Sequence, residues 1–431
     1  MTRTLVRQFV ALTGLAALAG YAAVYGLGFA DQPIRSDGFS YYVYLPSWFL
    51  YDDPTLESVA RDCCGGTFPV WTNISRWPET GRWVDAHPIG EAVLMIPFFA
   101  AATALSWWSN LPRDGFSLYY QHLAGLAGLA YFLAGLFVLR RLLTRHFSDG
   151  VVLATLVTIT WGTNLFHYGT YDSIFSHSYS FFLITAWLAL TERWWDDPGW
   201  RVSLGLSVVA ALIVLTRHPN VIFLLLVPLY GVTSRSTLLR NLRTMWDRRS
   251  VVGSMIGMAA FCVTPQLAIY RLATGHWLVS SYGSIGHFTF DSPHVAEVLF
   301  GVQKGLFFWS PALVLAVVGV CFARGWARRL IVPIAVIMLL DTYLIASWWD
   351  WQFGGSYGHR GFTDSVGLLA VFLASFFAWV AERPRVRPVV EAVAGASVLL
   401  SVVQMIQYWR GIIPISDMSW DRYRDLFMRF R

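Results

Sequence analysis

Apolar windows of roughly membrane-spanning length recur along almost the whole chain, separated by short polar joints, and this spacing predicts helices rather than strands. Val10 to Leu27 opens the series. Leu118 to Leu139, Val151 to Phe166, Phe175 to Leu190, Leu204 to Thr216 and Val221 to Val232 continue it. Val251 to Leu272, Trp309 to Ala323, Ile331 to Ala346, Val366 to Ala381 and Val389 to Ile406 complete it. The pattern predicts an all-α polytopic membrane protein of about 11 transmembrane helices, forming a single transmembrane domain over residues 1–431. Two further apolar stretches interrupt the alternation. Tyr41 to Phe49 is aromatic but too short to cross, which suits a helix lying in the interface. Ile89 to Trp108 is apolar enough to cross.

Composition agrees with the pattern. With 56% hydrophobic residues, 13% charged residues and 21 tryptophans, the chain is too apolar for a soluble domain. The net charge of +6 implies no nucleic-acid partner, because Lys and Arg gather in short joints between spans, as cytoplasmic loops do. Those joints are Arg140 to His146, Arg235 to Arg249, Arg324 to Arg329 and Glu382 to Arg385. The orientation that follows puts the N-terminus in the cytoplasm and residues 28–117 in a first extracytoplasmic loop. The first span, preceded by Arg3 and Arg7, is too long for the core of a signal peptide and reads as retained. To bring Arg140 back to the cytoplasm, Ile89 to Trp108 must lie along or dip into the outer leaflet, where Pro88, Pro97 and the Trp107-Trp108 pair fit. The competing reading is that it crosses and the basic joint is misplaced. Residues 273–307 form a second large outer loop. Residues 409–431 form an interfacial tail in which Trp420, Tyr423, Phe427 and Phe430 alternate with Arg422, Arg424, Arg429 and Arg431. Four cysteines supply no disulfide framework: Cys262 and Cys321 fall in spans, and adjacent Cys63 and Cys64 cannot form an ordinary unstrained bridge with each other.

The titratable residues collect on one face. The expected outer loops hold most of the histidines and the acids Asp37, Asp85 and Asp172. Part of this bias reflects loop length alone, but a site for an anionic, amphipathic substrate has the same signature. Asp37, in Arg35-Ser36-Asp37-Gly38-Phe39-Ser40-Tyr41-Tyr42, is either the cap of a helix beginning near Ser40 or a functional carboxylate at the bilayer edge. Asp172 follows an outgoing span and sits at the same expected depth, so the two acids can divide labour as base and partner. Asp37, Asp172 and His167 are also candidate ligands for a divalent cation, although their spacing is not diagnostic. Arg217, Lys304 and Arg360 come from three outer edges and suit a phosphate, Arg360 most of all because it ends the glycine-rich run Gly354 to Gly361. Snorkelling at the interface is the plain alternative for these cations. Tyr41, Tyr42, His87, His177, Trp349, Trp351, Tyr357 and His359 are expected to line a sugar or acceptor site.

Several of these stretches together resemble a known family. Ser36 to Tyr42, His87-Pro88-Ile89-Gly90-Glu91 leading to Pro97-Phe98-Phe99, and Tyr171-Asp172 are similar to the GT-C superfamily of polyprenyl-phosphate-sugar-dependent glycosyltransferases, in its protein O-mannosyltransferase and aminoarabinose-transferase branch. Gly305 to Pro311 and Trp351 to Arg360 look like stretches seen in bacterial members. The resemblance is strongest over the first 190 residues or so. It implies a GT-C-like fold in a bacterial inner membrane, with Asp37 as catalytic base and Asp172 as its partner on the extracytoplasmic face. It also implies a polyprenyl-phosphate-linked sugar as donor and a lipid, glycan or protein as acceptor. The branch often carries Lys-Pro-Pro where this chain has His87-Pro88-Ile89, so a donor-phosphate role for that lysine would fall here to His87, or to Lys304 and Arg360. Two other classes stay open: a flippase or transporter of a lipid-linked sugar, for which Asp341 and Gln266 are the few polar residues within spans, and a non-catalytic assembly subunit.

Overall fold

The computed structural model describes residues 2–283 and 286–430. The tail expectation at Arg431 therefore lies outside the described residues, as do Ser284 and Ile285 of the second outer loop. The chain is an almost wholly helical, polytopic membrane protein. Among the described residues, six helical segments are long and apolar enough to cross a bilayer: Thr2–Gly26, Gly90–Trp108, Leu118–Leu143, Arg249–Thr274, Arg360–Ala381 and Arg387–Trp409.

Helix α1 (Thr2–Gly26) is followed by α2 (Asp37–Phe49), α3 (Glu57–Cys64) and a short antiparallel ribbon of β1 (Ile74–Arg76) and β2 (Trp83–Asp85). Cys63 and Cys64, for which the sequence offers no ordinary unstrained bridge, are joined in a disulfide at the end of α3. Next come α4 (Gly90–Trp108), α5 (Leu118–Leu143), α6 (Asp149–Trp161), α7 (Leu165–Thr170), α8 (His177–Asp196) and α9 (Trp200–Thr216). The expected span over 221–232 is instead a 3₁₀ segment, His218–Leu225, continued by the single turn α10 (Leu226–Leu229). Pro219 and Pro228 bracket it, and proline supplies no amide donor for a regular α-helical ladder. Helices α11 (Arg235–Asp247), α12 (Arg249–Thr274), α13 (Val295–Phe300) and α14 (Leu306–Trp309) follow. The expected span over 309–323 breaks at Pro311 and resumes as α15 (Leu313–Gly319), ending in a 3₁₀ turn. The chain ends with α16 (Gly325–Arg328), α17 (Ile331–Ser347), a 3₁₀ turn at Arg360–Ser365, α18 (Val366–Ala381), α19 (Arg387–Trp409) and the seven-residue α20 (Trp420–Leu426).

The two ends of the bundle differ in chemistry. At one end the basic joints meet: Arg145 and His146 bond Glu192, the His146 ring stacks on Trp326 at 4.1 Å, and Gly231 donates to the carbonyl of Arg329. At the other end the large loops meet. Thr80 and Arg82 of the first loop donate to the carbonyls of Ala273 and Leu272, where α12 gives way to the second loop. Phe288 of that loop pairs with Trp348, reinforced by Thr289 N to Ser347 O and Trp349 N to His287 O.

Helix α4 runs antiparallel to α5 along only half of it. The Tyr131 hydroxyl donates to Leu94 O, Tyr120 donates to the Thr103 hydroxyl, and Ser109 meets Tyr119. The half of α5 that leads to Arg140 has no such bond to α4 among the described residues. Gly90 begins α4 hard against the backbone of Leu215 and Thr216 at the end of α9, where an added Cβ would lie 2.4 Å from the Leu215 carbonyl carbon. This close approach places His87 and the start of α4 beside Arg217.

Candidate functional site

Asp37 is the first residue of α2, and the chain reaches it through Ser36 with a positive φ of 49°. Neither residue makes a side-chain cap bond to the helix. The carboxylate is committed elsewhere: its Oδ2 accepts from Arg360 Nη1 at 2.5 Å. The expectation of a cap for a helix near Ser40 is therefore corrected, because the helix starts three residues earlier and its amides do not take this carboxylate. Arg360 opens the 3₁₀ turn before α18, and its guanidinium lies 5.4 Å from the Phe175 ring centroid. Burial alone would raise the Asp37 carboxyl, but Arg360, with help from His87, holds it below the ordinary carboxylate value. Asp37 is thus an anion at neutral pH, and its side chain retains 16% exposure.

That exposure opens into a cavity of about 230 Å³. Asp37, Tyr41, His87, His177, Arg217, Trp349 and Arg360 all line it, so seven of the expected site residues share one space. Trp348, Tyr282 and Phe288 form an aromatic roof where the second loop folds over the end of α17. Asp364, which the sequence reading passed over, organises one wall. It accepts from Arg217 Nη1 at 3.0 Å, from Asn220 Nδ2 at 3.0 Å and from His177 Nδ1 at 2.8 Å. The signal was present: Asp364 lies four residues beyond Arg360 at the mouth of an apolar helix. Asp85 sits behind His87, accepting its amide at 2.8 Å, and burial raises the Asp85 carboxyl to about 6 against the pull of His87.

The remaining expected residues lie off the cavity. Asp172 accepts from Arg35 Nη2 at 2.7 Å and from His167 Nε2 at 2.9 Å. The Trp409 indole, which can only donate, is 2.8 Å from His167 Nδ1 and so fixes the proton on Nε2. Burial would raise Asp172, but Arg35 and then His167 hold it well below its ordinary value. Lys304 does not face a phosphate site: its ammonium donates to the carbonyls of Ser356 and Ile415, and burial lowers it to about 7. Tyr42 donates to Gly115 O, Tyr357 to Ser401 O, and His359 bonds Trp351 O while Trp351 stacks on His294. These contacts turn Tyr42, Trp351, Tyr357 and His359 into supports of the loops rather than walls of the cavity.

Asp37, Asp172 and His167 do not make a ligand set for a cation. Asp172 and His167 touch, but Asp37 stands apart from them, and each carboxylate already holds a guanidinium. Among the described residues no group of three or more His, Cys, Asp or Glu is arranged to hold a metal ion.

The site is an anionic carboxylate and two arginines facing one enclosed, aromatic-walled space at the loop end of a membrane bundle. No family model, no curated protein and no solved structure matches this chain.

Proposed function

We propose that this protein is a membrane glycosyltransferase of GT-C type, with about 11 crossings, that moves a sugar from a polyprenyl-phosphate donor to an acceptor hydroxyl on the extracytoplasmic face. The observation that carries the reading is the shared cavity: Asp37, Arg360 and Arg217 reach it together from α2, the turn before α18 and the end of α9.

The acceptor oxygen attacks the anomeric carbon and forms the new glycosidic bond as the bond from that carbon to the phosphate oxygen breaks. Asp37 takes the hydroxyl proton, and attack opposite the leaving group inverts the anomeric centre. The departing polyprenyl phosphate takes both electrons of the broken bond, and its charge is met by Arg360 and Arg217. Arg360 has donors for both tasks. One nitrogen, Nη1, holds Asp37, and the enclosed Nε–H has no partner among the described residues, which leaves Nη2 as the donor proposed to meet the phosphate. A phosphate that shares this guanidinium weakens its hold on Asp37 and so makes the carboxylate a better base at the moment it is required. His177 has its Nδ1 bonded to Asp364, which orients the ring on the cavity wall. Asp172, tied to Arg35 and His167, acts as a positioning residue for the α7–α8 loop.

The test compares Asp37→Asn with the parent protein in liposomes. Transfer should fall by about 10² to 10⁴, while affinity for the donor lipid changes little. A control melt in detergent accounts for the loss of the Arg360 pair. Transfer that survives this change would sink the assignment. A flippase would relocate the donor lipid without consuming it, so following both sugar and carrier separates the two classes.

A further inference from the structure

Asp341 has no task in the mechanism above. It is the single charged residue of α17, a 17-residue helix that is otherwise apolar apart from Thr342 and Ser347, and it lines the cavity. The residue is 7% exposed, and neither of its carboxyl oxygens takes a hydrogen bond from the described residues; Oδ2 is fully enclosed. The neighbouring enclosed acids are committed, Asp37 on the wall to Arg360, and Asp364 behind it to Arg217, His177 and Asn220. A carboxyl kept from water without a partner is costly, and a ligand that brings donors to it recovers that cost on binding.

The surroundings narrow the ligand. Trp348 and Trp349 border the same space, with Tyr282 and Phe288 packed against Trp348 at ring-centroid distances of 5.2 and 4.9 Å. A prenyl chain would use the aromatic faces but leave the carboxyl stranded. A phosphate would be repelled by it when ionised. A sugar ring answers both features, laying its C–H face on an indole and its hydroxyls on the carboxyl. We infer that Asp341 and the Trp348-Trp349 wall form the sugar subsite of the cavity, with Asp341 as a specificity-determining acceptor for ring hydroxyls. The inference rests on the reading of the cavity as a site for a lipid-linked sugar, and it assigns to the sugar the part of the cavity bordered by Asp341, Trp348 and Trp349.

The experiment uses the full chain in nanodiscs and measures Kd for a polyprenyl phosphate bearing glucose, mannose or galactose, beside the same lipid without sugar. The parent protein should hold at least one sugar-bearing lipid about tenfold tighter than the bare lipid, the worth of one good hydrogen bond to a buried group. Asp341→Leu should erase that preference and leave the Kd for bare lipid unchanged, while Asp341→Asn, which keeps an acceptor oxygen, should retain part of it. Absence of any sugar preference in the parent, or equal weakening of both lipids by Asp341→Leu, overturns the subsite. If the parent binds none of the prenyl lipids, the transferase reading itself fails. The subsite is then decided by free methyl glycosides, which must raise the melting temperature of the parent and not of Asp341→Leu.

Discussion

Two ion pairs, one largely buried and one partly, join the start of α2 to distant parts of the chain, and they carry different loads. Asp37 with Arg360 faces the cavity, whereas Arg35 with Asp172 ties the α1–α2 connection to the loop after α7. Removing one member of a buried pair leaves the other stranded. Arg35 is about a quarter exposed, so Asp172→Asn should cost about 1 to 3 kcal/mol. Calorimetry or a fluorescence melt in detergent checks this, and its transfer activity should stay far above that of Asp37→Asn. Asp85 supplies a test through pH. Its folded-state value is raised from 3.8 to about 6, so between those values the native protein binds more protons than the unfolded chain. Stability from this group is therefore fully present below about pH 4 and lost as pH rises through 6, a swing of about 3 kcal/mol. Asp85→Asn should melt higher than the parent at pH 7 and at about the same temperature near pH 4; equal shifts at both values would contradict the argument. At this scale it was legible from residue type and position that Asp37 and Arg360 would border a common space. Their pairing was not, because 323 residues separate them. The turn of Lys304, Tyr357 and His359 away from the cavity and into the packed loops was equally hidden, since side-chain direction near glycines depends on backbone angles that composition does not encode.

The elements hold these side chains through a few close backbone approaches. Gly128 of α5 faces Ser173, the residue after Asp172, so closely that an added Cβ would lie 1.6 Å from the Ser173 carbonyl oxygen. The Ser173 hydroxyl also donates to Gly125 O on the same helix face. Gly128→Ala should force the loop off α5 and cost about 1 to 3 kcal/mol or more, with donor affinity falling as the Asp172 loop shifts. Gly150→Ala in α6 is the control. Nothing lies within 4 Å of the added Cβ there, and Ala favours the helix, so its melt should hold or rise slightly. Hydropathy located the long helices well, because burial in lipid or core leaves the same continuous apolar record. It failed over 221–232 and 309–323, where prolines break the α-helical ladder without lowering the apolar content of the window. Apolarity measures what surrounds a segment, not how its backbone is wound.

Across the whole molecule, the separation of charge is what makes one face a site. The joints carrying Arg145, His146 and Arg329 pack together at one end, and the loops carrying Glu79, Arg82, His276 and Trp348 pack together at the other. The proposed transferase requires the positive joints in the cytoplasm and the cavity on the opposite side, where its lipid-linked donor and its acceptor would meet. The position of α4 follows from the same division. Its bonds to α5 among the described residues fall on the first half of that helix, and the loop before it packs at the loop-bearing end, so the proposed transferase has α4 return to the face it started from. Labelling decides this directly. In a chain with Cys262 and Cys321 replaced by Ala and the Cys63–Cys64 bridge left intact, single cysteines are placed at Glu79, Asn110, Ser292 and Arg240, all exposed in the structure. A membrane-impermeant maleimide should modify the first three in intact cells and Arg240→Cys only after lysis. Opposite labelling of Glu79→Cys and Asn110→Cys would mean that α4 crosses the bilayer. Modification of Arg240→Cys from outside, with Ser292→Cys protected, would turn the cavity toward the cytoplasm and remove the physical basis for transfer on the outer face.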